Sequence, residues 1–224
     1  MPGISAVIPT LNAVASLPAT LAALRAGQVA DIVVADGGST DDTAALAARE
    51  GAQLVAAPRG RGAQLAAGAR ITAGEWLLFL HADTRLAKGW ETAAAAFMAD
   101  PTSQTRAAAF AFALDDPTPQ ARRLERLVAW RCRVLGLPYG DQGLLIAREH
   151  YKRLGGYRPL PIMEDVDLVR RIGRKNLTML PAQAVSSAER WRREGWYTRS
   201  ARNLLCLSLY FLGAPPGALL RLYR

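Results

Sequence analysis

The chain has 224 residues, half of them hydrophobic, with 28 Lys+Arg against 19 Asp+Glu and a formal net charge of +9. That length suits one sizeable domain, or one domain with a short appendage, and the apolar share excludes a largely disordered chain. Two cysteines, Cys132 and Cys206, exclude a disulfide scaffold and a zinc site of paired thiolates, while Met1-Pro2-Gly3 opens no secretory signal, so the expected compartment is the reducing cytoplasm.

The first half alternates two patterns. Short apolar runs at Ile4–Ile8, Asp31–Ala35, Gln53–Ala56 and Trp76–Leu80 predict strands. Ala/Leu-rich stretches at Ser16–Ala26, Thr40–Glu50 and Gly62–Ala73 predict helices between them. Strand–helix alternation argues for parallel pairing with helical crossovers, hence a doubly wound α/β, mostly parallel sheet flanked by helices. Ser39-Thr40-Asp41-Asp42 reads as an N-cap with acids in the first turn, and Gly51 and Gly74 stand where helices stop.

Further on, the spacing predicts a helix over Trp90–Met98, a strand over Ala107–Leu114 and a loop over Asp115–Pro119. A helix over Arg122–Leu135, a strand over Gly143–Ala147, and helices over Arg148–Leu154 and Glu164–Lys175 follow. In the tail, ten largely apolar residues at Leu204–Gly213 precede a Pro215-Pro216 break. A bilayer span needs roughly 20. Packing on the domain, a dimer contact and an interfacial helix held by flanking arginines are the three readings of this tail. We place a single domain at 1–193 and a helical apolar and basic tail at 194–224.

The positive charge is concentrated late, at Arg122, Arg123, Arg126, Arg131 and Arg133, then Arg170, Arg171, Arg174 and Lys175, then Arg190, Arg192 and Arg193. It suits either solvated helix faces or an anionic partner. Aromatics are not interleaved with these basics as base stacking requires, so no nucleic acid is expected.

Ligands of an open α/β sheet collect beyond the carboxyl ends of its strands. Pro9-Thr10-Leu11-Asn12, Asp36-Gly37-Gly38-Ser39-Thr40-Asp41, Pro58-Arg59-Gly60-Arg61-Gly62 and His81-Ala82-Asp83 stand there. Asp36 can accept from a ring N–H or a ribose hydroxyl, and its glycines allow close backbone approach. Neither the G-x-G-x-x-G nor the G-K-[ST] spacing is present. A carboxylate at Asp83 suits a divalent cation shared with substrate phosphates, the alternative being a cap on the next helix.

Ile4–Asn12 (ISAVIPTLN), Val33–Thr43 (VVADGGSTDDT) and Leu77–Asp83 (LLFLHAD) resemble the nucleotide-binding half of family 2 glycosyltransferases. The resemblance continues in order through Gly140–Ala147 (GDQGLLIA), Gly155-Gly156-Tyr157 and Met163–Arg171 (MEDVDLVRR). Short length, the HADT variant and Arg190-Trp191 resemble most the small bacterial branch labelled as arsenosugar-biosynthesis type. The resemblance implies a GT-A fold and inverting transfer from a nucleotide-sugar donor, usually a UDP-sugar. Pro9, Asn12, Asp36 and Gly38 would line the uridine pocket, with Arg61 or Gly62 near base or phosphates. Asp83, with His81 and Ala82 before it, would take the place of the D-x-D motif and hold Mn²⁺ or Mg²⁺. Asp165, beside Glu164, would be the general base. Gly140, Asp141, Gln142, Arg190 and Trp191 would bind diphosphate or acceptor.

These roles match the chemistry of transfer. Leaving-group charge on a diphosphate calls for a cation, and an attacking hydroxyl needs a carboxylate to take its proton. His81 departs from the D-x-D pattern, which puts the identity of the metal in question; imidazole still hydrogen-bonds or ligates a transition metal. His150, Cys132 and Cys206 read as packing residues. Two other hypotheses use the same residues: a nucleotidyltransferase, which would release pyrophosphate, and a non-catalytic membrane-surface or partner-binding protein with a decayed nucleotide site. The acceptor, small molecule or lipid, is not legible from the motifs.

Overall fold

Every residue of Ile4–Thr10 is buried, as a strand covered on both faces requires. This is β1 of the computed structural model, which describes residues 3–223. It is followed by α1 (Leu17–Ala26), β2 (Asp31–Asp36), α2 (Thr43–Arg49), β3 (Gln53–Ala56), α3 (Arg61–Ile71) and β4 (Trp76–Phe79). β1 pairs parallel with β2 and β4, and β2 with β3, which gives the expected nucleotide-binding half. α2 starts later than its sequence suggests, because the backbone N–H and hydroxyl of Thr43 both donate to Asp41, holding Thr40–Asp42 in a turn.

The second half makes the sheet mixed. It contains β5 (Thr84–Leu86), α4 (Trp90–Ala99), β6 (Ala107–Leu114), α5 (Pro119–Leu135), β7 (Leu144–Ala147), α6 (Arg148–Arg153), α7 (Glu164–Ile172) and β8 (Leu177–Ser186). The strand order is β3-β2-β1-β4-β7-β6-β8-β5, with β7 antiparallel to β4 and to β6, β8 parallel to β6, and β5 antiparallel to β8. Because β7 runs against β4, the turn that enters it, Gly140–Gln142, lies beside the end of β4. The ends of β6 and β8 arrive at the same edge. Topology alone therefore brings 81–83, 140–142 and 186–191 together.

Side chains alternate across the sheet. Ile4, Ala6 and Ile8 join α1, Trp76, Trp90 and Phe110 in one buried cluster. Val7, Leu77 and Phe79 join Leu65 of α3, Tyr151, Tyr157 and Leu168 in another. Three helices end the described chain: α8 (Glu189–Glu194), α9 (Trp196–Phe211) and α10 (Pro216–Tyr223). Cys206, Leu207 and Leu219 of α9 and α10 are buried with Ile162, Met163, Val166 and Val169 at α7. Of the three readings of the tail, packing on the domain is what its inner face does.

Candidate functional site

A cleft of about 470 Å³ opens at the carboxyl ends of β1 and β4, within the size range of small-ligand sites. Pro9, Asn12, Arg61, His81, Ala82, Asp83 and Arg190 line it. It continues into a second cavity where Arg61, His81, Asp83 and Arg190 meet Gly140, Asp141, Asp165 and Trp191. Three carboxylates from three separate segments, at Asp83, Asp141 and Asp165, thus share one cavity with the guanidinium groups of Arg61 and Arg190.

Local structure fixes these groups. Met163 adopts a left-handed φ of 63° at the start of α7, so Glu164 and Asp165 enter its first turn. Gly140 N–H donates to Asp165 Oδ2 at 2.7 Å and Val166 N–H to Oδ1 at 2.8 Å, which tie the carboxylate to the turn before β7. Glu164 is fully buried behind the cavity and pairs with Arg61 Nε at 2.8 Å. Burial pushes the Glu164 carboxyl up to about 7, against the pull of Arg61 and with Asp165 adding to the rise. Arg61 stays protonated beside it.

Asp141 and His81 are short of partners. Burial pushes the Asp141 carboxyl up to about 6, opposed by Arg131 and reinforced by Asp165 and Asp83, and its Oδ1 is buried without a hydrogen-bond partner. His81 Nε2 is buried and unpartnered too, and burial with the nearby Arg61 charge brings the ring down to about 4, so it is neutral at pH 7. Such orphaned atoms fit a ligand that brings donors or positive charge. Among the described residues no three His, Cys, Asp or Glu side chains are close enough to hold a metal unaided. The donor set suits a hard cation that takes one or two carboxylates from the protein and its other ligands from phosphate and water.

Several sequence-predicted residues shape the loops around the cleft. Asp36 accepts Thr10 Oγ1 at 2.9 Å, Gly38 N–H at 3.0 Å, Ser39 N–H at 2.8 Å and the Ser39 hydroxyl. Burial pushes its carboxyl up, but these four donors prevail and hold it below the ordinary carboxylate value. A carboxylate has about four acceptor sites, so Asp36 is saturated by Thr10 of β1 and by its own loop, and Gly38, with a φ of 88°, turns that loop. Asn12 joins the same network, accepting from Thr40 N–H at 2.8 Å. Gly62 presses its backbone against the carbonyls of Arg158 and Leu160. Gln142 is buried and donates to the Phe110 carbonyl at 3.0 Å, a fixture of the turn rather than a cavity wall.

Sequence reasoning missed the contribution of the last helices. Arg199 and Asn203 of α9 and Tyr223 of α10 line the inner cavity, and Leu220 with Tyr223 borders the outer cleft. Arg199 is buried, pairs with Glu194 at 3.0 Å and donates to Tyr223 Oη at 3.2 Å. Phe112, Tyr139, Ser186 and Ser187 were also unforeseen as cavity walls. An i, i+3 spacing of Leu220 and Tyr223 was the available signal, and the proline break before it obscured the helix. After Asp83 the chain enters β5, so the alternative of a carboxylate capping the next helix does not apply.

The family model for glycosyl transferase family 2 matches residues 5–149. Uncharacterized glycosyltransferases of Mycobacterium bovis and Mycobacterium tuberculosis are 53% identical over 66 residues, which is 29% of this chain and 29% of each relative, so the match spans under a third of their length. Glucosyl-3-phosphoglycerate synthase from Mycobacterium tuberculosis, solved with Mn²⁺, UDP and glucosyl-3-phosphoglycerate, superposes with a TM-score of 0.57 at 21% identity, over 83% of this chain and 71% of that one. Mannosyl-3-phosphoglycerate synthase from Rubrobacter xylanophilus gives 0.62 at 18% identity, over 96% and 76%. At these identities the structural likeness establishes the fold, which is that of GT-A glycosyltransferases. With more than half its length under the family model, the chain belongs to glycosyl transferase family 2.

Proposed function

We propose that the protein transfers a sugar, with inversion, from a nucleoside-diphosphate donor, a UDP-sugar in our reading, to an acceptor hydroxyl. One observation carries the proposal: Asp83, Asp141 and Asp165 share a cavity with Arg61 and Arg190 that is continuous with the Pro9–Asn12 cleft. A cavity lined by groups of both signs suits a diphosphate, its cation and a proton acceptor. The Mn²⁺ and UDP of the M. tuberculosis synthase support the same assignment.

In this reading Pro9 and Asn12 border the nucleoside, while Asp36 and Gly38 keep their loop in shape beneath it. Arg61 and Arg190 face the diphosphate, with Gly62 fixing the helix start that carries Arg61. Asp83 holds Mn²⁺ or Mg²⁺ next to Ala82 and the neutral His81, and that cation would stabilise charge on the departing diphosphate. Asp165 accepts the proton of the attacking hydroxyl; each of its oxygens takes one backbone N–H and keeps a lone pair for the substrate. Glu164 anchors Arg61 from behind. Gly140, Asp141, Gln142 and Trp191 shape the acceptor side. Attack from the face opposite the leaving group needs no enzyme nucleophile. Residues 1–193 would carry this machinery and 194–224 would complete its wall. By its HADT and Arg190-Trp191 sequences we group the chain with the arsenosugar-biosynthesis type, in the cytoplasm where nucleotide sugars are made.

A donor screen reading release of UDP, GDP or TDP, with and without Mn²⁺, tests the reaction; pyrophosphate as the product would overturn it. Asp165→Asn should keep donor binding and lose transfer by roughly 10²–10⁴-fold. Transfer at the wild-type rate would remove Asp165 from the role of base.

A further inference from the structure

The inner face of α9 is buried, but its outer face is largely exposed among the described residues. Tyr197 is 77% exposed, Leu204 64%, Leu205 48%, Phe211 48% and Leu212 82%. At 100° per residue these side chains project from one side of the helix, with Ala201 and Ser208 between them. No charge interrupts that stripe, since Arg199 and Arg202 turn inward to Glu194. α5 repeats the pattern: its buried face holds Ala121, Val128 and Cys132, while Leu127 and Trp130, 64% and 52% exposed, point away with Val134. Monomeric surfaces rarely carry contiguous apolar patches of this kind without a use.

The two helices are neighbours. Trp196, the first residue of α9, packs in the cluster of Val128 and Leu124 from α5, and Leu137, just beyond α5, is buried with Cys206 and Leu207. Basic residues border both stripes. Arg170 stands 5.0 Å from the Phe211 ring centre, Arg192 and Arg193 precede α9, Arg126 and Arg133 flank the outer face of α5, and Arg123 stands on that face one turn before Leu127. Residues 119–224 hold 20 Lys+Arg against 8 Asp+Glu, whereas 1–118 hold 8 against 11. The positive charge is therefore confined to the half that bears the apolar stripes. No helix among the described residues is long and apolar enough to cross a membrane.

We propose that the outer faces of α9 and α5 dock the protein peripherally on an anionic bilayer, apolar side chains entering the headgroup boundary and arginines meeting lipid phosphates. The charge decides between possible occupants. A second copy would bring two strongly basic halves together and be repelled, whereas an anionic lipid surface attracts both. Exposed apolar side chains among arginines, with an interfacial Trp, are the composition such a surface selects.

Sedimentation with equimolar phosphatidylcholine–phosphatidylglycerol vesicles, against phosphatidylcholine alone, tests this without any donor or transfer, so its outcome is independent of the proposed reaction. The wild-type chain should pellet with the anionic vesicles, less in high salt, and stay in solution with the neutral ones. Leu204→Ser with Leu205→Ser should lower the partition at least tenfold while melting like the wild type. Arg123→Gln with Arg126→Gln should weaken binding to anionic vesicles. Absence of wild-type binding, or binding unchanged in the leucine pair, would overturn the proposal. So would a concentration-dependent dimer in sedimentation equilibrium that the leucine pair dissolves.

Discussion

Gly62 and Gly217 make a matched pair, because each is the second residue of a helix, α3 and α10. Replacing either with alanine brings the same intrinsic helix preference, up to about 1 kcal/mol. Their surroundings differ. A Cβ at Gly217 meets nothing within 4 Å, whereas one at Gly62 lands 2.1 Å from the Arg158 carbonyl oxygen and 2.8 Å from that of Leu160. Comfortable C···O contact begins near about 3.3 Å, so the 158–160 backbone or the start of α3 must move by roughly 1 Å. Overpacking against backbone, which cannot rotate aside as a side chain does, should cost about 3 kcal/mol, the upper part of the usual range. For a chain of this size that lowers the melting temperature by roughly 6–12 °C, while Gly217→Ala should raise it by roughly 1–3 °C. The same movement displaces Arg61 from Glu164, so Gly62→Ala should also weaken UDP binding in calorimetry. A Gly62→Ala protein that melts at or above the wild type would refute the close packing of α3 against the segment leading into α7.

Three other expectations concern single side chains. Asp36→Asn places an amide group against four donors and should cost about 3 kcal/mol at neutral pH; thermal melts would register it. Since the folded Asp36 carboxyl lies below its ordinary value of 3.8, its stabilisation is complete above that value and disappears as pH falls through the folded one, so the gap between wild type and Asp36→Asn should close in strong acid. Asp83→Ala should weaken Mn²⁺-dependent UDP binding at least tenfold, with UDP binding in chelator little changed. Arg199→Leu removes one of the two arginines that close on Glu194, which keeps Arg202, and frees Tyr223; a destabilisation of about 1 kcal/mol is expected, along with faster hydrogen exchange in α10.

The parallel half was legible because its signals are local. Ile4–Thr10 is apolar throughout, and its pairing with β2 and β4 follows from the intervening helices. β8 was not legible, because it has no continuous apolar run and Pro181 interrupts its ladder; the register with β6 slips between Phe110 and Ala111. β5, three residues long, is a strand only because β8 is there to pair with it. Site residues divide in the same way. Asp83 and Asp165 stand at element ends, where polar residues are conspicuous. Asp36 was equally conspicuous, yet the sequence could not tell that Thr10 and Ser39 would fill its acceptor sites, because that depends on three-dimensional loop closure. Tyr223 and Arg199 reach the cavity only through long-range packing of α9 and α10, which no short motif encodes.

The position of α9 gives the cavity and the surface a common element. Its inner face sends Arg199 and Asn203 into the inner cavity, and Arg199 donates to Tyr223, which lines the cavity together with Arg61. Its outer face carries the apolar stripe. A load on that outer face therefore reaches the cavity wall through a single turn of helix, with no intervening flexible segment. If the stripe meets a bilayer, an acceptor hydroxyl at the lipid surface lies on the side of the molecule where the cavity is closed by α9 and α10, and entry there requires α10 to yield. Trimming the Tyr223 hydroxyl, by Tyr223→Phe, should then raise transfer to a lipid-borne hydroxyl more than transfer to a soluble one. Equal effects on both acceptors would separate the docking face from the path of the substrate.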